Sequence, residues 1–228
     1  MISKLVHAGI DARHIDDAAR AVVDELIPSF AAHPGARLGY WMVERASGHV
    51  LAMTGWSNVY ALHSEQAADG MERATIAEHV GLRVYAVQHL EVVAMHEVGA
   101  TDGAEPHWVR VTWVEGVPEH LVDDLAELHD DKVSHQLRSG GLRASYWLAD
   151  RATGDGVAFS MWDTAEDLAA SERDSHRRRR RFRREMGCRI AMVATYEALG
   201  VVFAPAVTIA GSLGGTPATT NISARRVS

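Results

Sequence analysis

The sequence has almost no cysteine, no long apolar run and no excess of positive charge. A single cysteine, Cys188, excludes an intrachain disulfide and a zinc site built from several thiolates, and it favours a reducing, cytoplasmic location. No apolar run approaches the roughly 20 residues that cross a bilayer, and the opening MISKLVHAGIDARH lacks the apolar core of a secretory signal, so we expect no contact with a membrane. The formal net charge of −7 makes a general nucleic-acid binder unlikely on physical grounds, because such a protein needs a broad positive surface.

What the sequence does contain is an internal repeat. Residues Tyr40–Trp56 read YWMVERASGHVLAMTGW, and residues Tyr146–Trp162 read YWLADRATGDGVAFSMW. A shift of 106 positions aligns the two stretches and their flanks without a gap. Towards the end of each copy we expect the shift to fall to 100, which places His96 opposite Tyr196. The pattern indicates a duplicated unit.

Both copies show one order of strand and helix signals. A β-rich segment is followed by an amphipathic helix, a hairpin with Gly48 or Gly154 in its turn, a second helix and a closing strand. The second helix is expected at about Asn58–His79 and Thr164–Glu185. This β-α-β-β-α-β order defines the ferredoxin-like unit, whose sheet has one face left to cover.

We therefore predict an α+β fold in which two ferredoxin-like repeats, residues 1–103 and 104–200, are fused into a pseudo-dimeric α/β barrel. The two bare sheet faces would meet inside the barrel. Residues 201–228 are rich in Gly, Ala and Thr and carry no periodic apolar stripe, which predicts an extended C-terminal tail.

The hairpin motif also points to a family. A turn (HPGARLGYW or RSGGLRASYW), a strand, Asp/Glu-Arg-Ala-Ser/Thr-Gly, a second strand and a Trp before a helix together resemble the antibiotic biosynthesis monooxygenase (ABM) domain of the dimeric α/β-barrel superfamily. The resemblance covers nearly all of both copies. It implies a small-ligand pocket between the sheet and the helices.

The resemblance further implies a cofactor-independent monooxygenase that acts on a small aromatic or polyketide-like molecule. Such an enzyme needs a base, desolvation and orientation, because a deprotonated electron-rich phenol can reduce oxygen directly. The alternative is a non-catalytic module of the same fold that binds a small ligand or haem, or that assembles with partners.

Haem-degrading relatives carry a second Trp and then a His on the helix after the hairpin. No such Trp follows Trp56 or Trp162, and His79 and His176 lie at other distances, so we expect no cofactor and keep haem as the alternative. The group His129, Asp130, Asp131 and His135 lacks the spacing of a metal motif and is interpreted as a solvated helix face, so no metal site is predicted.

Two residues of the first repeat are the candidate catalytic pair. Tyr60 and His63 are three apart on the expected second helix, so they share a face, and Trp56 precedes them. The second repeat has Glu166 and Ala169 in their place, which would confine the chemistry to the first repeat. Ordinary drift of surface residues explains the same asymmetry and remains the alternative.

Six aromatic residues are candidates for binding the substrate. Neighbours on a strand point to opposite faces, so one residue of each Tyr-Trp pair should face the helices and the other the core between the repeats. The two tryptophans that end the hairpins would lie at the rim of a pocket. Packing is the competing interpretation for all six: Tyr40, Trp41, Trp56, Tyr146, Trp147 and Trp162.

The stretch HRRRRRFRR, His176–Arg184, is the strongest local charge signal. It falls inside the second helix of the second repeat, so its arginines must be distributed around that helix. This favours contact with anionic ligands or with a neighbouring subunit, which would make the pseudo-dimer part of a homodimer. Nucleic-acid binding is the lesser alternative.

Overall fold

A computed structural model describes residues 1–64, 75, 78–97, 108–137, 140–203 and 225–226. Within these ranges eight antiparallel strands close into a barrel in the order β2-β3-β1-β4-β6-β7-β5-β8, and β8 pairs back with β2. A short strand β9, Arg225–Arg226, pairs with β8. The barrel strands are β1 Ile2–Gly9, β2 Ala36–Glu44, β3 His49–Trp56, β4 Arg83–Glu97, β5 Trp108–Glu115, β6 Leu142–Asp150, β7 Asp155–Trp162 and β8 Arg189–Phe203.

Helices cover the outside of the barrel. In the first repeat α1 and α2 are joined by a π-helical turn, and helical residues 59–64 follow β3. The rest of the helix predicted there lies mostly outside the described residues. In the second repeat the predicted second helix is divided at Ser171. The helices are α1 Ile15–Ala21, α2 Ile27–Ala32, α3 Asp124–Leu137, α4 Ala165–Ala170 and α5 Glu172–Met186, with 3-10 turns at Ala12–His14 and Glu119–Leu121.

Alternation along the strands separates an inner from an outer layer. Tyr40 and Tyr146 belong to one apolar cluster that fills the barrel with side chains of both repeats. Trp41 and Trp147 point outward, where each joins a cluster under the helices of its own repeat. The predicted opposite orientation of each Tyr-Trp pair is therefore confirmed.

The strand register repeats at a shift of 106 residues to the end of both copies. Ile2 pairs with Glu91 in the first repeat, and Trp108 pairs with Glu197 in the second. The expected fall of the shift to 100 is therefore wrong, because Glu91 rather than Glu97 is the counterpart of Glu197. His96-Glu97 and Tyr196-Glu197 resemble each other over these two residues only. Pairing the strands at the other shift would move buried side chains out of the core.

The predicted start of the tail at residue 201 is also wrong. Strand β8 runs to Phe203, and Val201 is buried in the barrel opposite Tyr40 of β2. The run GVVF at residues 200–203 is apolar and rich in β-branched residues, and it forms the ladder that closes the barrel. Burial of these side chains keeps the strand going up to the point where the composition changes. Residues 204–224 and 227–228 of the predicted tail lie outside the described ranges.

Two arginines join the repeats at the hairpins. Arg45 pairs with Asp16 of its own repeat at 2.9 Å and with Glu197 of the other. Arg151 pairs with Asp123 at 2.8 Å and with Glu91 of the other repeat at 2.6 Å. The paired carboxylates raise the pKa of both guanidinium groups.

A chain of hydroxyl groups crosses the centre of the barrel. The hydroxyl of Tyr146 donates to Glu97 at 2.6 Å, and the Tyr40 hydroxyl lies 3.2 Å from that of Tyr146 and is placed to donate to it. Burial, and then the neighbouring Tyr40 and Glu97, hold the pKa of Tyr146 well above its ordinary value. These two tyrosines occupy equivalent positions, so they meet where the two halves of the barrel face each other.

Replacing these tyrosines by phenylalanine should destabilise the protein, and the loss should be larger at Tyr146 than at Tyr40. Tyr40→Phe removes the hydrogen bond to the Tyr146 hydroxyl and should lower the free energy of unfolding by about 1 kcal/mol. Tyr146→Phe removes two, one of them to a carboxylate, and should cost about 2–3 kcal/mol. Urea unfolding of the two variants measures both values. Equal costs would show that the hydrogen bond between Tyr146 and Glu97 contributes nothing.

Candidate functional site

The predicted catalytic pair lies on an open surface. Tyr60 is 82% exposed and His63 is also exposed, both on the helical turn of residues 59–64. Trp56 is completely buried: its indole donates to Thr54 at 3.1 Å, and Phe30 packs edge-on against its ring. The predicted grouping of Trp56 with Tyr60 and His63 in one pocket is therefore wrong, because the tryptophan packs under α2 while the other two face solvent.

The six candidate substrate-binding residues are all buried, and they divide between two environments. Tyr40, Tyr146, Trp56 and Trp162 have no exposed surface, which matches the packing interpretation. Trp162 repeats the contact of Trp56, since its indole donates to the Ser160 hydroxyl. Trp147 differs, because it lines a cavity in the second repeat.

The cavity has a volume of about 410 Å³ and lies between the outer face of the sheet and helices α3 and α5. The resemblance to ABM domains predicted a pocket in this layer, whereas the catalytic candidates were placed in the first repeat. The floor of the cavity is formed by residues of four strands, and the two helices form its walls. The floor residues are Arg110, Thr112, Val114, Trp147, Ala158, Ser160 and Ile190.

His129 is the imidazole of the cavity wall. It is only 2% exposed, so its predicted place on a solvated helix face is wrong. Leu125 and Val133, one turn before and one turn after it, are buried on the same stripe of α3. That spacing of four residues is the sequence signal that could have placed His129 inside. By the shift of 106, the first repeat has Val23 at this position.

Arg110 is a buried cation in the cavity floor. Its guanidinium donates to the carbonyl of Leu168 at 2.6 Å and to the hydroxyl of Ser175 at 2.9 Å, and it pairs with Glu172 at 3.0 Å. Burial lowers the pKa of this guanidinium, and Glu172 opposes that effect. Sequence reasoning missed Arg110, although a lone arginine within the strand HWVRVTWV was a visible signal.

The two equivalent tryptophans lean in opposite directions along their strands. Trp41 lies over Gly39, two residues earlier, where an added Cβ would come within 2.5 Å of the indole. Trp147 lies beside Gly156, which pairs with Ala149, two residues further along β6. Gly39 thus makes room for the Trp41 indole, whereas at Gly156 an added Cβ would come closest to the Leu148 carbonyl oxygen, at 2.9 Å.

Trp41 and Trp147 also differ in the residues around them. Position 145, the counterpart of Gly39, is a serine whose hydroxyl donates to Phe159. In the first repeat Phe30 covers Trp41 at a ring separation of 5.5 Å, and Gln136 stands at that position in the second. The buried indole nitrogen of Trp147 has no hydrogen-bond partner among the described residues.

A second polar cluster is formed by strand residues of both repeats. His7 and His49 stack at 5.6 Å, and Tyr85, Trp113 and Tyr196 pack around them at ring separations of up to 6.4 Å. The Nδ1 atom of His49 and the Tyr196 hydroxyl lie 2.7 Å apart. Burial lowers the pKa of His49 and raises that of Tyr196. Tyr85 covers this cluster from the outside and is itself 65% exposed, so the ring contacts account for the cluster as packing.

None of the helices in the described ranges is long and apolar enough to cross a membrane. No group of three or more His, Cys, Asp or Glu side chains in those ranges is placed to hold a metal ion.

The sequence has relatives, but no protein-family profile matches it. An uncharacterized protein of Mycobacterium tuberculosis H37Rv is 28% identical over 174 residues, which cover 76% of each chain. Among solved structures, a candidate monooxygenase of Fusobacterium nucleatum superposes with a TM-score of 0.63 at 12% identity, over 88% of this chain and 93% of that one. An anthrone oxidase-like protein gives 0.57 at 14% identity, over 92% and 96%.

These similarities, together with the closed barrel and its repeated register, define the fold. The chain has the pseudo-dimeric α/β-barrel fold of ABM-like proteins, with two ferredoxin-like halves. At such identities the likeness extends to the fold alone.

The different settings of the two tryptophans can be tested through the glycines. Gly39→Ala should lower the free energy of unfolding by about 1–3 kcal/mol, because the new methyl group would displace the Trp41 indole from its place against Phe30. Gly9→Ala is the matched control, since an added Cβ there meets nothing closer than 3.9 Å. Urea unfolding measures both, and equal effects would contradict the contact between Gly39 and Trp41.

Proposed function

We propose that the second repeat holds a small-molecule site and that the protein is a cofactor-independent monooxygenase acting on a small aromatic or polyketide-like molecule. The observation that carries the proposal is the cavity of about 410 Å³ lined by a buried imidazole and a buried indole N–H. This volume lies in the range of small-molecule sites, and apolar walls with a few polar groups are typical of them. The single Cys188 is consistent with a reducing, cytoplasmic location.

The site residues suit a reaction that begins with loss of a proton. His129 would accept the proton of a phenol or of an acidic C–H group, and the indole N–H of Trp147 would donate to the resulting oxyanion. The carbanion would bond to dioxygen, and the protonated His129 would return its proton to give a hydroperoxide, which loses water to leave a carbonyl group. In the product the reacting carbon has lost two hydrogen atoms and gained one oxygen atom, and the second oxygen atom has left as water.

Haem, the alternative ligand, does not fit this cavity. His129 and the arginines could in principle serve an iron and two propionates. However, Trp147 and Phe182, whose rings are 5.0 Å apart, close one wall of a space near the lower end of the range for ligand sites. A compound of two or three fused rings fits better than a tetrapyrrole.

Oxygen uptake tests the proposal. The purified protein is first checked by absorption spectroscopy for bound haem or flavin and is then mixed with a panel of anthrones and hydroquinones. We expect uptake with at least one compound, and a loss of at least about 100-fold in His129→Asn, the size of effect expected for a general base. Circular dichroism confirms that the variant is folded.

Exposed residues supply the controls. His176→Asn changes a histidine on the outer surface of α5, and Tyr60→Phe with His63→Asn removes the pair predicted from the sequence. The single variant and the double variant should both keep the wild-type rate of oxygen uptake. Uptake that survives His129→Asn, or that disappears with Tyr60 and His63, would contradict the placement of the site. No uptake by a protein that still binds the compounds would favour the non-catalytic binding module.

A further inference from the structure

The outer face of α5 carries a row of arginines. They recur at intervals of three and four residues, so they lie on one side of the helix and extend over about 16 Å along it: Arg173, Arg177, Arg180 and Arg184. All four residues are exposed. Arg177 pairs with Asp174, whereas the other three make no ion pair within the part of the chain that the structure describes. This arginine row therefore leaves most of its positive charge uncompensated.

The arginine row contrasts with the acidic rest of the chain. α5 contains eight arginines and three acidic residues, which give it a net charge of +5. The rest of the chain contains 15 basic and 27 acidic residues, a net charge of −12. Such a separation of charge attracts the helix to an acidic surface of another molecule.

The composition of this face restricts the kind of partner. On α5, which is described in full, the apolar residues Phe182 and Met186 are turned inward, so the outer face has no apolar side chain to enter a lipid bilayer. The arginine row also has no aromatic ring on which a nucleic-acid base could stack, and the acidic rest of the chain repels a long polyanion. The planar fork of arginine matches carboxylates, so the face fits an acidic protein surface.

The first repeat has such a surface, an acidic cleft. The cleft has a volume of about 510 Å³ and lies between residues 14–25, mainly α1 and the π-helical turn after it, and residues 78–81. Its charged lining residues are four carboxylates and one arginine: Asp17, Arg20, Asp24, Glu25 and Glu78. Arg20 pairs with Asp17, and the other three carboxylates make no ion pair among the described residues.

The arginine row and the acidic cleft match in spacing as well as in charge. Asp17 and Asp24 are seven residues apart, which separates them by about 10 Å along their helical segment. Arg173 and Arg180 are also seven residues apart on α5. Two helices laid side by side can therefore join two carboxylates of one to two guanidinium groups of the other. Within the described ranges of a single chain, no ion pair joins the row to the cleft.

We propose that the arginine row of α5 docks in the acidic cleft of a second copy of this chain. In a closed dimer the contact forms twice, once for each α5. The proposal does not depend on the small-molecule site in the second repeat. Because the two surfaces are mainly charged, the association should be weak and sensitive to salt.

Sedimentation velocity of the full chain tests the association. At about 100 µM protein we expect species larger than the monomer in about 0.1 M salt, and the monomer alone in about 1 M salt, where the Debye length is about 3 Å. A monomer under both conditions would overturn the proposal. Association that persists in high salt would also overturn it, because an apolar contact would then hold the copies together.

Two arginines of α5 form a matched pair of variants. Arg180→Glu reverses one charge of the arginine row and should weaken self-association at least about tenfold. Arg183→Glu makes the same change in total charge at an exposed position outside the row, and should change the affinity less than about threefold. Circular dichroism confirms that both variants are folded. Equal effects would show that only the total charge matters and would overturn the proposal.

Complementary charge reversals test which surfaces meet. A variant with Arg180→Glu and Arg184→Glu and a variant with Asp24→Lys and Glu25→Lys should each be monomeric in about 0.1 M salt, because row and cleft then carry like charges. Mixed in equal amounts, the two variants should associate, since each row then faces a cleft of opposite charge. A mixture that stays monomeric would overturn the proposal.

Fluorescence anisotropy with a labelled single-stranded RNA separates the remaining partner class. We expect no binding of the RNA by the wild-type chain in about 0.1 M salt. RNA binding by a monomeric chain, lost in Arg180→Glu and kept in Arg183→Glu, would assign the arginine row to nucleic acid and overturn the proposal.

Discussion

The closed hydrogen-bond ladder between the two repeats is the constraint on which the rest of the structure depends. β2 pairs with β8 and β4 pairs with β6, so the inner face of each sheet becomes the core of the barrel. A slip of one residue in either ladder would turn an apolar face outward, and the register is accordingly the same in both halves. Tyr40 and Tyr146 meet inside this core, and Arg45 and Arg151 reinforce it at the rim.

Outside the barrel no such constraint acts, and there the repeats differ. Each outer face packs against the helices of its own repeat together with strand residues of the other, such as Leu199 of β8 in the first repeat and Ala94 of β4 in the second. In the first repeat Phe30 covers the indole of Trp41. In the second, Trp147 lies beside Gly156, and an imidazole and arginines border the cavity next to it. Divergence of the outer layer thus accompanies the cavity beside Trp147 in the second repeat.

Much of the fold could be predicted from the sequence, because it rests on local periodicity and on a repeat with rare tryptophans. The opposite orientation of Tyr40 and Trp41 follows from strand geometry alone. The site was harder to place. His129 was assigned to solvent because its neighbours Asp130 and Asp131 are charged, and the stripe through Leu125 and Val133 was overlooked. Arg110 is held by residues about 60 positions away, and no local pattern reports such contacts.

The central claim, a ligand cavity in the second repeat beside Trp147, is tested most directly by nuclear magnetic resonance of the indole N–H groups. Each of the six tryptophans gives one signal in protein labelled with 15N, and Trp147→Phe and Trp41→Phe identify the two equivalent ones. Titration with 1-naphthoate should shift the signal of Trp147 while that of Trp41 stays in place. A shift of Trp41 with no change at Trp147, or no shift of either at saturating ligand, would contradict the account.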